Sequence, residues 1–237
     1  MAISQSLWPV RAPASWRRRF LGTLVRVETT KPVVALTFDD GPHPLYTGRI
    51  LDLLAQYQVR ATFFLLGRHA AAHPALLTRI ATAGHTIGNH TFNHVRMPQT
   101  PRWQRWRELW KAQQALSPYC APLFRPPYGG QSYGSRFDAL LFGYEVVGWT
   151  GHIEDWVAQP AAQLAERLRC QLQPGSIILL HDCLVNPRDP AAADRSPLIE
   201  ALAMVLDQTH KDYHFVTVPE LVGAGTPIRS LWFRPAQ

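Results

Sequence analysis

Two neighbouring carboxylates follow directly on a short apolar run. Asp39 and Asp40 come after residues 33–38, which read as a buried strand, and Gly41 and Pro42 then turn the chain. Adjacent carboxylates repel each other unless a cation or a proton lies between them, so the pair indicates a metal site or a raised pKa. A helix cap or a solvated turn would explain the same residues, because Asp and Gly are common in turns.

Two imidazoles four residues apart form a second candidate. His90 and His94 stand in the segment HTFNH, and this spacing lets both rings reach one ion from a helical turn or a tight loop. The spacing alone arises often by chance in a chain with ten histidines. Together with one aspartate, however, the two rings make the three-ligand set of hydrolytic zinc, which leaves positions for water and a substrate oxygen.

Three further segments place polar residues near the ends of apolar runs. Arg125 precedes two prolines that stiffen a loop, which suits preorganised catalysis but also an ordinary turn. His181 ends the run 177–180, although a lone histidine there would more often be a core residue with its hydrogen bonds satisfied. Asp155 and Trp156 lie in a loop after another apolar run.

The elements that must position these residues alternate between short apolar runs and amphipathic stretches. This pattern is typical of strand and helix units around a parallel sheet, as a barrel or as an open sheet. Strands are expected at residues 33–38, 61–65, 86–88, 123–125, 145–148, 176–180 and 215–218. Helices are expected at residues 47–57, 74–83, 102–116, 136–142, 161–171 and 197–209. The candidate residues would then meet where the parallel strands end.

The composition indicates one globular domain. The 237 residues are 46% hydrophobic and 17% charged, with no long polar tract, so the chain can bury a substantial core. We expect a basic arm at residues 1–31, one domain at 32–223 and a tail at 224–237. The net charge of +7 favours encounters with anionic partners, but no nucleic-acid-binding module is recognisable.

Export and membrane insertion are not indicated. Arg17, Arg18 and Arg19 resemble the start of a twin-arginine signal, but the long apolar region and the cleavage site are missing. No apolar run reaches the length that spans a bilayer. We therefore expect a soluble, cytoplasmic chain, with export open if a segment precedes the given sequence and with peripheral membrane contact also open.

Three tryptophans recur along an arginine-rich stretch. Trp103, Trp106 and Trp110 have the spacing of one helix face. Such a stripe more often belongs to the core, so we expect the rings to be buried against the barrel. The alternative is a peripheral surface that stacks on sugars or contacts a membrane.

Five segments stand in the order of the motifs of the polysaccharide deacetylases of carbohydrate esterase family four, which this chain therefore resembles. They are TFDDGP at 37–42, HTFNH at 90–94, RPPYG at 125–129, DW at 155–156 and LLH at 179–181. Each is weak singly, but the ordered set is highly specific, and the resemblance covers roughly residues 33–218. It implies a single-domain α/β fold, the distorted (β/α)7 barrel.

The resemblance also implies a metal centre and a base. Asp40, His90 and His94 would hold a divalent metal, zinc first, with cobalt, nickel or manganese as alternatives. Asp39 would be the general base, and Arg125 would hold it by a charge-assisted hydrogen bond.

The remaining implied roles concern the leaving group and the acyl group. His181 would be the general acid, oriented and kept protonated by Asp155. The backbone N–H of Tyr128 would stabilise the oxyanion, while Trp156 and Leu179 would line a pocket for the acetyl methyl group.

The activity that the resemblance implies is hydrolysis of the acetamide of an N-acetylglucosamine-containing glycan or glycoconjugate. Acetate and a free amino sugar would be released. Two alternatives stay open: an amidase or deformylase acting on a lipid-linked or small acylated amine, and a glycan-binding member that has lost turnover. Many family members carry an acid where this chain has His152, and Glu154 is a candidate to replace it.

Overall fold

The computed structural model describes residues 22–231. Arg17, Arg18 and Arg19, with the rest of residues 1–21, lie outside this range, as do residues 232–237. The strands are β1 (Thr23–Glu28), β2 (Val33–Asp39), β3 (Thr62–Leu65), β4 (Thr86–Asn89), β5 (Cys120–Phe124), β6 (Glu145–Val146), β7 (Gly151–His152), β8 (Ile177–His181), β9 (His214–Phe215) and β10 (Thr226–Ser230). The helices are α1 (Tyr46–Gln56), α2 (Gly67–Ala72), α3 (Pro74–Thr82), α4 (Arg102–Leu116), α5 (Tyr133–Leu141), α6 (Ala161–Gln171), α7 (Ser196–Thr209) and α8 (Val218–Gly223).

Parallel strands form one curled sheet. Seven of them run in the order β6-β5-β4-β3-β2-β8-β7, and the short β9 pairs beside β2. Helices in the crossover connections cover the outside, which is the arrangement of a single-domain, distorted (β/α)7 barrel. The predicted fold class is therefore confirmed.

The central strand β2 explains why the sheet forms. Every one of its residues is buried, and its apolar run is continuous rather than alternating, as expected for a parallel strand covered on both faces. Phe38 stacks on Phe63 of β3, with 5.0 Å between the ring centroids, inside the main apolar cluster. Removing either ring to alanine would cost about 3–5 kcal/mol.

An antiparallel ribbon of β1 and β10 covers the gap between the two ends of the sheet. The Gly148 N–H donates to the Leu24 carbonyl at 2.8 Å, and the Val27 N–H donates to the Gly175 carbonyl at 2.9 Å. β1 thus reaches both the β6 end and the start of β8. Both strands lie in segments that the sequence assigned to an arm and a tail, because local patterns do not reveal pairing between distant parts of a chain.

The predicted strand at 215–218 agrees with the structure only at Phe215. Strand β9 ends at Phe215, and Val218 begins α8 instead. The side chains of Thr217 and Glu220 form a capping box that starts this helix, and Pro219 occupies its first turn. This signal was present in the sequence and was missed, as were the short α2 and β7.

The expected burial of the tryptophan stripe is wrong. Trp103, Trp106 and Trp110 are 67%, 39% and 54% exposed. Leu109 and Leu116 face the core instead, so the opposite side of α4 contributes the buried apolar surface. Within residues 22–231, no helix combines the length and the apolar character needed to cross a membrane.

Candidate active site

The register of the parallel strands brings the candidate residues to one edge. Asp39, the last residue of β2, pairs directly with His181, the last residue of β8. Two strands along, Asn89 ends β4 opposite Phe124, so His90 and Arg125 follow side by side. Residues from four segments of the sequence therefore converge at the carboxyl ends of the strands.

Asp40, His90 and His94 could hold one metal ion. One ligand atom from each lies within 4.8 Å of the others, and the Nε2 atoms of His90 and His94 are 3.3 and 3.1 Å from Asp40 Oδ1. That oxygen is buried and accepts no hydrogen bond within the described part of the chain. A buried anionic oxygen facing two imidazole nitrogens is a donor set that fits a divalent cation.

The charge state of Asp40 suits this purpose. Burial alone would raise its pKa, but the adjacent imidazoles of His90 and His94 outweigh burial and hold the pKa well below its usual range. The carboxylate is therefore ionised at neutral pH. Its second oxygen, Oδ2, accepts the backbone N–H of Val185 at 3.2 Å, which orients the group.

A backbone carbonyl orients the ring of His90. Its Nδ1 lies 2.7 Å from the carbonyl oxygen of Arg125, which can only accept a hydrogen bond. Nδ1 is therefore engaged by this carbonyl, which leaves Nε2 to face Asp40. One residue, Arg125, thus positions a candidate ligand with its main chain.

A buried acid on α4 holds the loop that carries both histidines. The Glu108 carboxylate accepts the backbone N–H groups of Phe92 and Asn93 at 3.1 and 2.7 Å, and the Asn93 side-chain amide at 2.8 Å. Within this loop, Thr91 and His94 adopt positive φ angles of 69° and 63°. Sequence reasoning missed Glu108, although it is the one acid in the helix.

Arg125 anchors the second carboxylate. Its side chain is fully buried, and Nη1 donates to Asp39 Oδ1 at 2.8 Å and to Thr37 Oγ1 at 2.7 Å. Nη2 donates to the Gly148 carbonyl at 2.7 Å. One oxygen of Asp39 is thereby held, while the other lies 3.9 Å from His90 Nε2.

His181 has a buried aspartate behind it. Its Nδ1 lies 2.9 Å from Asp155 Oδ1, and its backbone N–H donates to Asp155 Oδ2 at 2.8 Å. Burial would lower the pKa of His181, but Asp155, reinforced by Asp40 and Asp39, raises it to about 9. The imidazole is therefore protonated at neutral pH.

Arg195 completes this arrangement and was missed from the sequence. Its guanidinium is buried and donates to Asp155 Oδ2 at 3.2 Å and to the Asp155 carbonyl at 2.6 Å. It comes from the polar loop before α7, far along the chain from Asp155. No local pattern in that loop marks an arginine that turns inwards.

Asp182 is a further buried acid at this edge for which the sequence suggested no role. Its Oδ2 accepts a hydrogen bond from Thr47, and a side chain at Gly41 would overlap the same carboxylate. Burial, opposed by Thr47 and reinforced by Asp40, raises the pKa of Asp182 to about 7. Gly41 is therefore required by its close approach to Asp182.

The predicted substrate-binding residues lie around the same edge. Tyr128 has a φ of 60°, and its ring centroid is 4.5 Å from that of His94. The ring of Trp156 meets His181 edge-on at 5.9 Å, and Leu179 belongs to the apolar cluster against which Trp156 packs.

His152 stands where many members of the resembled family carry an acid, and Glu154 is the candidate to replace that acid. His152 belongs to the edge strand β7, and Glu154 follows that strand. The ring of His152 is 5.0 Å from that of Trp156, so His152 adjoins the predicted acyl pocket. The carboxylate of Glu154 instead forms an ion pair with Arg167 of α6. Glu154 is therefore engaged away from His181.

Comparison with known proteins agrees with this geometry. The family model for polysaccharide deacetylase matches residues 26–147. A peptidoglycan-N-acetylglucosamine deacetylase of Bacillus cereus is 34% identical over 201 residues, covering 83% of this chain and 91% of its own length. A chitooligosaccharide deacetylase of Sinorhizobium fredii is 36% identical over 196 residues, covering 77% of this chain and 91% of its own length.

One solved structure has a similar fold along almost the whole length of both chains. It is a peptidoglycan N-acetylglucosamine deacetylase in complex with 4-naphthalen-1-yl-N-oxidanyl-benzamide, similar to this chain with a TM-score of 0.79 and 31% identity. The match covers 91% of this chain and 99% of the other. The resemblance seen in five short motifs therefore extends to the whole domain, and the chain belongs to the polysaccharide deacetylase family.

Proposed function

We propose that the protein hydrolyses the acetamide of N-acetylglucosamine units in a glycan such as peptidoglycan or a chitooligosaccharide. The products are acetate and a free amino sugar. The observation that carries the proposal is the convergence of Asp40, His90 and His94 beside a second carboxylate, Asp39, which has one oxygen held by Arg125. The names of the two relatives support the choice of substrate.

The proposed metal is zinc, held by Asp40, His90 and His94. One carboxylate and two imidazoles suit zinc, and cobalt, nickel and manganese are the alternatives. When bound, the ion supplies a Lewis acid and lowers the pKa of bound water towards about 7. His90 would bind through Nε2, because its Nδ1 faces the Arg125 carbonyl.

In the proposed mechanism, Asp39 removes a proton from the attacking water. Arg125 occupies one of its oxygens, so Oδ2 is the atom available to accept the proton. The buried guanidinium also prevents rotation of the carboxylate, which preorganises it for the transfer. Asp40 does not compete for this role, because it faces both imidazoles.

His181 is proposed to protonate the departing amine. Its Nδ1 is bound by Asp155, so the proton must leave from Nε2. The pKa of about 9 keeps the donor loaded at neutral pH. We further propose that the Tyr128 backbone N–H stabilises the developing oxyanion and that Trp156 and Leu179 enclose the acetyl methyl group.

Acetate release from N-acetylated chitooligosaccharides and from peptidoglycan tests the proposal. We expect release from at least one substrate, loss of release with a chelator and recovery on addition of zinc or cobalt. Asp39→Asn should retain the metal and lose on the order of 10²–10⁴-fold in kcat. Activity that survives chelation would contradict the metal centre, and full activity in the Asp39→Asn variant would contradict the assigned base.

A further inference from the structure

Two adjacent helices carry half of the large apolar side chains that are exposed in residues 22–231. Six of the twelve such side chains lie on α4 and α5, and we call them the tryptophan face: Trp103, Trp106, Trp110, Tyr133, Phe137 and Leu141. Exposed apolar side chains that are scattered singly need no explanation, but a concentration on one surface is typical of an interaction site.

Contacts between the two helices join the centre of the tryptophan face, at Trp106 and Phe137. The Trp106 indole N–H donates to Asp138 Oδ1 at 2.8 Å, which fixes α4 against α5. The Arg102 guanidinium lies 5.1 Å from the Trp106 ring centroid and 5.9 Å from that of Phe137. Asp138 and Arg102 therefore hold Trp106 of α4 and Phe137 of α5 in one surface.

The acidic side chains of these two helices are buried, whereas a basic side chain is exposed. The two acids, Glu108 and Asp138, are buried, with Glu108 bound to the histidine loop and Asp138 to Arg102 and Arg105. Neither carboxylate reaches solvent, whereas Arg107 is exposed on the outer side of α4. The tryptophan face therefore combines apolar rings with positive charge and has no exposed acid from either helix.

We propose that the tryptophan face docks on an anionic lipid surface. Indole rings favour the boundary between headgroups and acyl chains, and arginine and lysine are attracted to anionic headgroups. The net charge of +7 acts in the same direction. A neutral glycan would also stack on indoles, but it would leave the exposed positive charge without a partner. Docking would hold the domain against a membrane through the tryptophan face.

Vesicle co-sedimentation tests the proposal. The whole chain should sediment with vesicles that contain phosphatidylglycerol but not with phosphatidylcholine alone, and high salt should weaken this binding. The double substitution Trp103→Gln and Trp110→Gln should weaken binding on the order of tenfold or more. Arg107→Gln should weaken binding to anionic vesicles by a smaller factor.

Matched controls separate the tryptophan face from other surfaces. Met204→Gln removes a 47% exposed apolar side chain from α7 and should bind like the unsubstituted protein. Circular dichroism and thermal unfolding should show that each variant is folded. No binding by the unsubstituted protein, or equal binding by the double variant, would overturn the proposal. Tryptophan-dependent binding to insoluble glycan, without vesicle binding, would also overturn it.

Discussion

Asp39 and Asp40 adjoin in the chain but have different partners. Asp40 faces two imidazoles, which keep it ionised, while Asp39 is bound by the buried Arg125. Both carboxylates lie near His90 Nε2, with Asp39 Oδ2 at 3.9 Å and Asp40 Oδ1 at 3.3 Å. The physical argument for two different roles therefore comes from their surroundings, because the two residues are chemically identical.

At the residue scale, Asp155 should set the alkaline limit of activity. As the proposed general acid, His181 must be protonated to donate, so we expect activity below its pKa and a loss of activity as the pH rises through about 9. In Asp155→Asn the raising influence of the carboxylate is removed, and burial lowers the pKa. We expect the alkaline limb of kcat to move down by roughly 2 pH units.

Profiles of kcat against pH for both proteins, with zinc in excess, give this shift directly. An alkaline limb that stays in place in the Asp155→Asn variant would show that His181 is not the titrating donor. Lys211→Gln, which changes an exposed charge beyond α7, is the matched control and should leave the profile unchanged.

The sequence predicted that residues at the ends of apolar runs would meet at one edge of the sheet. Asp39, Asp40 and His181 follow apolar runs, and the structure brings their segments together at one edge. Arg195 and Glu108 could not be found in this way. Each is a charged residue in a polar segment, and burial by the tertiary fold is what distinguishes it from a solvated one.

At the scale of elements, α4 has two sides with different tasks. Its inner side places Glu108 under the loop of His90 and His94, and its outer side carries exposed tryptophans. A carboxylate that accepts three N–H groups of one loop should fix the relative position of the two proposed ligands, His90 and His94. Such supporting contacts commonly alter metal affinity 10–100-fold, as an order of magnitude.

Glu108→Gln should therefore weaken zinc binding by about 10-fold or more, because one amide N–H₂ must then face an N–H donor of the loop. With saturating zinc, kcat should recover most of its original value. Competition with a chromogenic chelator measures the affinity. Gln114→Ala, at an exposed position on the same helix, should leave affinity unchanged. Equal zinc affinity in Glu108→Gln would contradict the positioning role.

Sequence patterns located most of the elements, since α4 and α6 have the predicted bounds and the buried parallel strands are close to theirs. The misses share a cause. Strands β1 and β10 pair with each other across almost the whole sequence, and β7 has only two residues beside β8. Neither case gives a local hydrophobic period that identifies a strand. The tryptophan stripe of α4 was predicted to be buried because aromatic residues at helical spacing usually pack in the core, whereas here they are exposed.

At the scale of the whole molecule, closure of the sheet depends on the β1–β10 ribbon. Gly175 has a φ of 81°, and a side chain there would overlap the Val27 carbonyl. Gly175→Ala should lower the free energy of unfolding by about 2 kcal/mol or more, from backbone strain and from displacement of β1. Urea unfolding measures this loss.

Gly143→Ala provides a closely matched comparison. Its φ is 77°, but apart from its chain neighbours no atom in residues 22–231 lies within 4 Å of the added methyl group. It should lose about 1 kcal/mol from strain alone. Equal losses in the two variants would mean that β1 contributes little to closing the sheet.

The same ribbon places the first and last described residues of the domain beside each other, since Thr23 pairs with Ser230. A domain whose two ends meet can be inserted as a cassette into a surface loop of another protein without stretching either junction. It can also be circularly permuted by joining the old ends and cutting an exposed loop elsewhere.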